Sequence, residues 1–167
     1  YRWNLNFDEF CDQLDKVGCS IIGQTDSFVP ADKEIYALRD VTGTVESVPL
    51  IAASILSKKF AAGSKALVMD VKCGSGAFMD SEPKALELSE SLVRIGKALG
   101  MNVSAIITQM NQPLGVMIGN SLEVLESLDL LEGNGPKDSR EITLELAAEM
   151  VVLAGIDKNR EDGLKRV

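Results

Sequence analysis

From Ser64 onward the chain follows an alternation that few folds accommodate. Ala66–Lys72 is a short apolar run interrupted by Asp70, and Val103–Thr108 is another. Between them lies an amphipathic stretch with Pro83 in its first turn and Leu88, Leu92, Ile95 and Leu99 at i, i+4, i+7 and i+11, stopped by Gly100. Two strands joined by a helix pair in parallel, because a tight hairpin cannot connect them. After the loop Gln109–Gly115 a further helix is expected, capped by Asn120 with Glu123 at the fourth capping-box position and ended by Gly133. A last helix runs from near Ser139 to Gly155. This grammar predicts an α/β fold with helices over a mostly parallel sheet.

The preceding residues read differently. Asn6 and Glu9 form a capping-box pattern, Phe10, Leu14 and Val17 recur on one helical face, and Gly18 stops the helix. Ser20–Gly23 is a short strand candidate and Gln24–Val29 a polar linker. Pro30 suits the first turn of a second helix running through Tyr36 and Leu38 towards Val41, with Gly43 as breaker. A third helix has Ser47 or Val48 as cap, Pro49 as first residue, and Gly63 just past its end. The chain thus divides into a first α/β piece (1–29), an all-helical strip belonging to a second small lobe (30–62), and a second α/β piece (63–167). The expected sheet is partial and mixed, mostly parallel, and a cleft between lobes is a usual place for a small ligand.

Composition narrows the chemistry. The 167 residues are 46% apolar, enough for a core, and 17 basic against 25 acidic residues leave a formal charge of −8. That balance argues against nucleic acid as a partner. Histidine is absent, which removes Ser-His-Asp and Cys-His nucleophile systems and histidine-ligated metals from this chain. Cys11, Cys19 and Cys73 make no CxxC and leave an odd count, so a reducing, cytoplasmic setting is the simplest reading. No apolar run approaches the roughly 18 residues of a membrane span, and no signal-like amino terminus is seen. Opening on Tyr1 and ending in polar Lys158–Val167, the chain reads as a piece of something longer.

Four features bear on function. Arg39, Ser54 and Lys58 form the first; Ser54 and Lys58 are four apart on a helix and share a face. A guanidinium, a hydroxyl and an ammonium converging would suit a carbonyl-rich or anionic group. Spacing alone equally allows Arg39 to pair with a carboxylate, Ser54 to bond its own helix and Lys58 to be solvated. The second is Cys73-Gly74-Ser75-Gly76 after a strand, where glycines let backbone amides approach a ligand or simply make a tight turn. It matches neither a dinucleotide fingerprint nor a P-loop. The third is Gln112-Pro113-Leu114-Gly115 with Glu126, whose oxygens could hold a hard cation, although a solvated helix acid is the ordinary role of such a glutamate. Cys73 is the fourth; with no basic partner nearby in sequence, it reads as a small packed side chain.

The residues themselves carry a resemblance. Tyr36-Ala37-Leu38-Arg39-Asp40-Val41-Thr42-Gly43-Thr44-Val45-Glu46-Ser47, then Pro49-Leu50-Ile51, Ser54-Ile55 and Ser57-Lys58-Lys59, form one block. Ile21-Ile22-Gly23-Gln24-Thr25 and Pro30-Ala31-Asp32-Lys33 precede parts of it. Asp70-Val71-Lys72, Gly74-Ser75-Gly76-Ala77-Phe78-Met79, Gln112-Pro113-Leu114-Gly115 and Gly119-Asn120 with Leu122-Glu123-Val124 follow. In order and spacing, from about Tyr1 to Ile156, the set resembles the thymidine/pyrimidine-nucleoside phosphorylase family, which also includes archaeal-type AMP phosphorylases.

The resemblance implies a pentosyltransferase: reversible phosphorolysis of a thymidine- or uridine-like nucleoside to free base and (deoxy)ribose 1-phosphate, in nucleoside salvage. Phosphate is then the co-substrate and no organic cofactor is expected. By the resemblance Arg39, Ser54 and Lys58 hold the base, with Arg39 and Lys58 catalytic, and Val45, Ile51 and Phe78 supply apolar contacts. Leu114, Met117 and Glu126 correspond to positions that hold a potassium-like ion in some members. A homodimer through the helical lobe is implied, with no membrane or nucleic-acid partner. The family's phosphate-binding loop and carboxy-terminal domain have no counterpart in this stretch, so the chain resembles the middle of the protein and is expected to be inactive alone. An AMP phosphorylase is the alternative activity, and a non-catalytic fragment or dimerisation module the alternative of another class.

Overall fold

The computed structural model describes residues 2, 4–23 and 30–167, in two compact units, Tyr1–Gly43 and Thr44–Val167. The expected linker at 24–29 lies outside the described residues.

The first unit contains α1 (Phe7–Val17) and α2 (Pro30–Thr42). α1 begins and ends where its sequence directs. The Asn6 side chain accepts from the Glu9 N–H at 2.9 Å, and the Glu9 carboxylate accepts from the Asn6 N–H at 3.0 Å. Gly18 takes the left-handed conformation at φ 82° and donates back to the Leu14 carbonyl at 2.8 Å, a C-terminal stop open to glycine. Residues 20–23, expected as a strand, are not one: no ladder partner is present among the described residues, and so short a segment does not hold an extended conformation without one.

The second unit runs α3 (Val48–Ala61), β1 (Ala66–Cys73), α4 (Glu82–Ala98), β2 (Asn102–Gln109), α5 (Asn120–Leu131), α6 (Lys137–Leu153) and α7 (Arg160–Arg166). β1 and β2 pair in parallel from Ala66↔Asn102 to Cys73↔Gln109, with α4 as the crossover. The α/β fold, helices flanking a parallel sheet, is therefore the one the alternation predicts. On β1 the odd residues Leu67, Met69 and Val71 turn to the core, leaving Asp70 and Lys72 on the other face. Val71 packs with Val103 of β2, with Ala85, Leu88 and Leu92 of α4, and with Ala52 and Leu56 of α3. Leu56 and Leu92 are the largest fully enclosed side chains. α6 packs against both strands and carries α7.

Three local expectations are corrected. α5 is capped by Gly119, with Asn120 as its first residue; the Glu123 carboxylate accepts from the Gly119 N–H at 2.9 Å, making half of the expected box. α6 starts at Lys137 and ends at Leu153, inside the glycine taken as its end. The polar stretch after Lys158 contains α7, capped by Asn159, whose side chain accepts from the Asp162 N–H at 3.0 Å. Asn159 and Asp162 at capping spacing were the available signal for it.

Candidate functional site

α3 is built with two faces. Pro49 sits in its first turn, Ala52 and Leu56 are buried, and Ile51, Ser54, Ile55 and Lys58 fall on a neighbouring stripe. The Lys58 ammonium donates to the Ser54 hydroxyl at 3.3 Å. Ile51 and Ile55 line a cavity of about 570 Å³ with Phe78, Met79 and Met110. Phe78 is 56% exposed, a large ring left open to that space. The structure thus brings Ser54 to Lys58, and Ile51 to the same cavity as Phe78. Val45 lies half-buried in the turn leading to α3, where the Ser47 N–H donates to the Thr44 carbonyl at 3.2 Å.

Arg39 belongs to the first unit. It lies near the end of α2, is only 5% exposed, and holds its guanidinium 5.3 Å above the centre of the Tyr36 ring, one turn earlier. A cation on an aromatic face is fixed in direction without losing its charge.

At the carboxyl ends of the strands the register places Lys72 beside Thr108. The Lys72 ammonium contacts the Asp70 carboxylate at 2.6 Å and the Thr108 hydroxyl at 3.0 Å, and Thr108 donates to Asp70 at 2.5 Å. The net charge of this trio is zero. Sequence reading marked Asp70 and Lys72 only as part of a motif; Thr108 could be added only once the strand register was known.

The turn Cys73-Gly74-Ser75-Gly76 is not an anion cradle, because its amides are already used. Gly74 donates to the Met79 carbonyl at 2.9 Å, Gly76 to the Met110 carbonyl at 2.8 Å and Ala77 to the Gly74 carbonyl at 3.0 Å. The Ser75 N–H donates to the Asn111 side-chain oxygen at 3.1 Å. Gly74 has φ +135°, and a side chain there would collide with Asn111 and the Met110 backbone. Tight-turn geometry accounts for the glycines. Asn111, which holds this turn, was not singled out from the sequence.

Leu114, Met117 and Glu126 share a second cavity of about 500 Å³. Its loop is held by carboxylates. Glu126 accepts from the N–H groups of Val116 at 3.0 Å and Met117 at 2.9 Å. Asp138 accepts from Gly115 at 3.1 Å and from its neighbour Ser139 at 2.8 Å. The Gly115 N–H, followed by that of Ser139, holds the Asp138 carboxyl below the usual carboxylate range. The side-chain oxygen expected to face a cation therefore meets backbone donors in this arrangement.

Comparison with known proteins adds to this geometry. Residues 1–167 match the family model described as "Glycosyl transferase family, a/b domain". A protein named pyrimidine-nucleoside phosphorylase from Bacillus subtilis (strain 168) is 54% identical over 154 residues, covering 92% of this chain and 36% of that protein. One of the same name from Staphylococcus aureus (strain bovine RF122 / ET3-1) is 56% identical over 143 residues, covering 86% of this chain and 33% of its own length. The chain spans about a third of the length of the curated relatives it matches.

Proposed function

Because this chain belongs to the glycosyl transferase family as its a/b domain, we propose that it is the central segment of a pyrimidine-nucleoside phosphorylase. The observation that carries the reading is the 54% identity over 154 residues to a protein of that name. The Lys58–Ser54 bond and the shared cavity of Ile51 and Phe78 support it.

In this reading an oxygen of inorganic phosphate attacks C1′ of the pentose. The N-glycosidic bond breaks with its electron pair going to the base, and the products are pentose 1-phosphate and free base. Negative charge grows on the ring carbonyls as the bond lengthens, and Arg39, Ser54 and Lys58 are the donors that meet it. Donors aimed at developing charge stabilise the transition state more than the ground state. Val45, Ile51 and Phe78 contact the flat faces of the base. No protein nucleophile is required, which suits a chain without histidine.

Chain outside these residues supplies the phosphate half, so residues 1–167 alone have a base half-site and no turnover. Residues 30–62 belong to the helical lobe through which the parent forms a homodimer. A monovalent cation would be held by the oxygens of Leu114 and Met117 and by the Glu126 carboxylate oxygen that the Val116 and Met117 amides do not use. The free thiols Cys11, Cys19 and Cys73 suit a reducing cytoplasm. The test is base release from thymidine, uridine and AMP by the full-length parent, with and without phosphate. Phosphate-dependent release from a pyrimidine nucleoside is expected; release from AMP alone would replace the reading with an AMP phosphorylase, and release from none would end the catalytic reading.

A further inference from the structure

We propose that Asn111 is a positioning residue of the base site, acting through the turn that carries Phe78; the inference rests on the phosphorylase reading above. The turn leaves β1 at Cys73 and is drawn back at Met79, which pairs with Cys73 while its carbonyl accepts the Gly74 N–H. Phe78 is the residue just before that anchor. At the near end, the two residues following β2 hold the turn. Met110 accepts the Gly76 N–H at 2.8 Å through its carbonyl, and Asn111 accepts the Ser75 N–H at 3.1 Å through its side chain. The Ser75 hydroxyl also reaches the Asn111 carbonyl at 3.5 Å.

Of these links two are made by side chains, the Asn111 acceptor and the Ser75 hydroxyl, and the Asn111 bond is the shorter. It is made at the surface and occupies the Ser75 amide. The Asn111 side chain lies so close to Gly74 that a Cβ there would collide with it, so the two positions fit each other as glycine and asparagine. Losing the Asn111 bond leaves the near end of the turn held by the Met110–Gly76 backbone bond, with the Ser75 amide released. A ring that must lie flat on a base then spends part of its time elsewhere, which weakens ground-state and transition-state binding together.

The test uses the full-length parent. Asn111→Ala is expected to raise KM for the pyrimidine nucleoside roughly three- to tenfold, the scale of one hydrogen bond, with KM for phosphate unchanged. Asn111→Asp keeps the acceptor in the same place and is expected to restore the wild-type KM. In a Phe78→Ala background the Asn111→Ala change is expected to add nothing, because neighbours acting through one element are not additive. Hydrogen exchange gives a reading that needs no variant to fold: residues 74–79 of the wild type are expected to be protected, Ser75 included. An unchanged nucleoside KM, a loss of kcat alone, failure of Asn111→Asp to restore KM, additivity with Phe78→Ala, or an unprotected Ser75 amide would each overturn the inference. Those outcomes leave the phosphorylase reading standing; a wild-type parent with no phosphate-dependent release removes both.

Discussion

Lys58 stands one turn after Ser54 on α3 and donates to its hydroxyl across 3.3 Å. The bond fixes the ammonium on the stripe that carries Ile51 and Ile55, instead of leaving a four-carbon stem to wander. A cation held beforehand needs no reorganisation when charge develops on a leaving base. Lys58→Met in the full-length parent is therefore expected to lower kcat/KM for a pyrimidine nucleoside by roughly 10²–10³-fold. Ser54→Ala removes the tether and keeps the charge, so its loss should be smaller. Steady-state kinetics beside circular dichroism would decide; a Lys58→Met enzyme with wild-type kcat/KM takes Lys58 out of the site.

Arg39 allows a separate test, because its guanidinium does what an ammonium cannot. It is planar, stacks on Tyr36 and offers paired donors. Arg39→Lys keeps the charge but loses the fork, and is expected to lose most of the activity that Arg39→Ala loses. Near-normal turnover in the lysine variant would mean that only the charge matters there.

The elements legible in the sequence were those written locally. The Asn6/Glu9 box and Gly18 set both ends of α1 with short-range bonds alone; in α4, Leu88, Leu92 and Ile95 face the core as their spacing requires, while Leu99 of the same expected stripe falls at the C-cap and is exposed. What stayed hidden depended on chain far away. Thr108 joins Asp70 and Lys72 only through the parallel register, 36 to 38 residues distant. Asn111 reaches Ser75 across the same interval. The cost of a cap at Asn120 rather than Gly119 was also unreadable, since Glu123 serves either. Ser54 and Lys58 were legible as neighbours from spacing; the proposal that their face holds a base rests on the resemblance, not on the pattern.

The core yields a prediction independent of function. Leu56 is 1% exposed and lies among α4 and β1 side chains, so Leu56→Ala removes packed atoms that the neighbours cannot fully replace. A loss of about 2–5 kcal/mol is expected, read as a lower urea midpoint with an unchanged slope. Leu131→Ala, at a position 79% exposed, should shift the midpoint by little. Equal effects at the two positions would contradict the placement of the core.

The Gly115–Met117 loop carries a pH dependence of known sign. Asp138 accepts from the Gly115 and Ser139 amides, which bind the carboxylate and not the acid, and its folded pKa is lowered. A carboxyl with a lowered folded pKa contributes its full stabilisation above its unfolded value, about 3.9. That contribution fades as pH falls further, through the folded value. The loop is thus expected to stay docked from neutral pH down to about that value, then to open progressively in more acid solution. Hydrogen exchange at the Gly115 amide, compared at pH 6 and pH 3 after correction for intrinsic rates, should show weaker protection at the lower pH. Asp138→Asn keeps an acceptor without the charge, so its weaker protection should not vary between the two pH values. A wild-type loop equally protected at both would place the acid-sensitive contact elsewhere than Asp138.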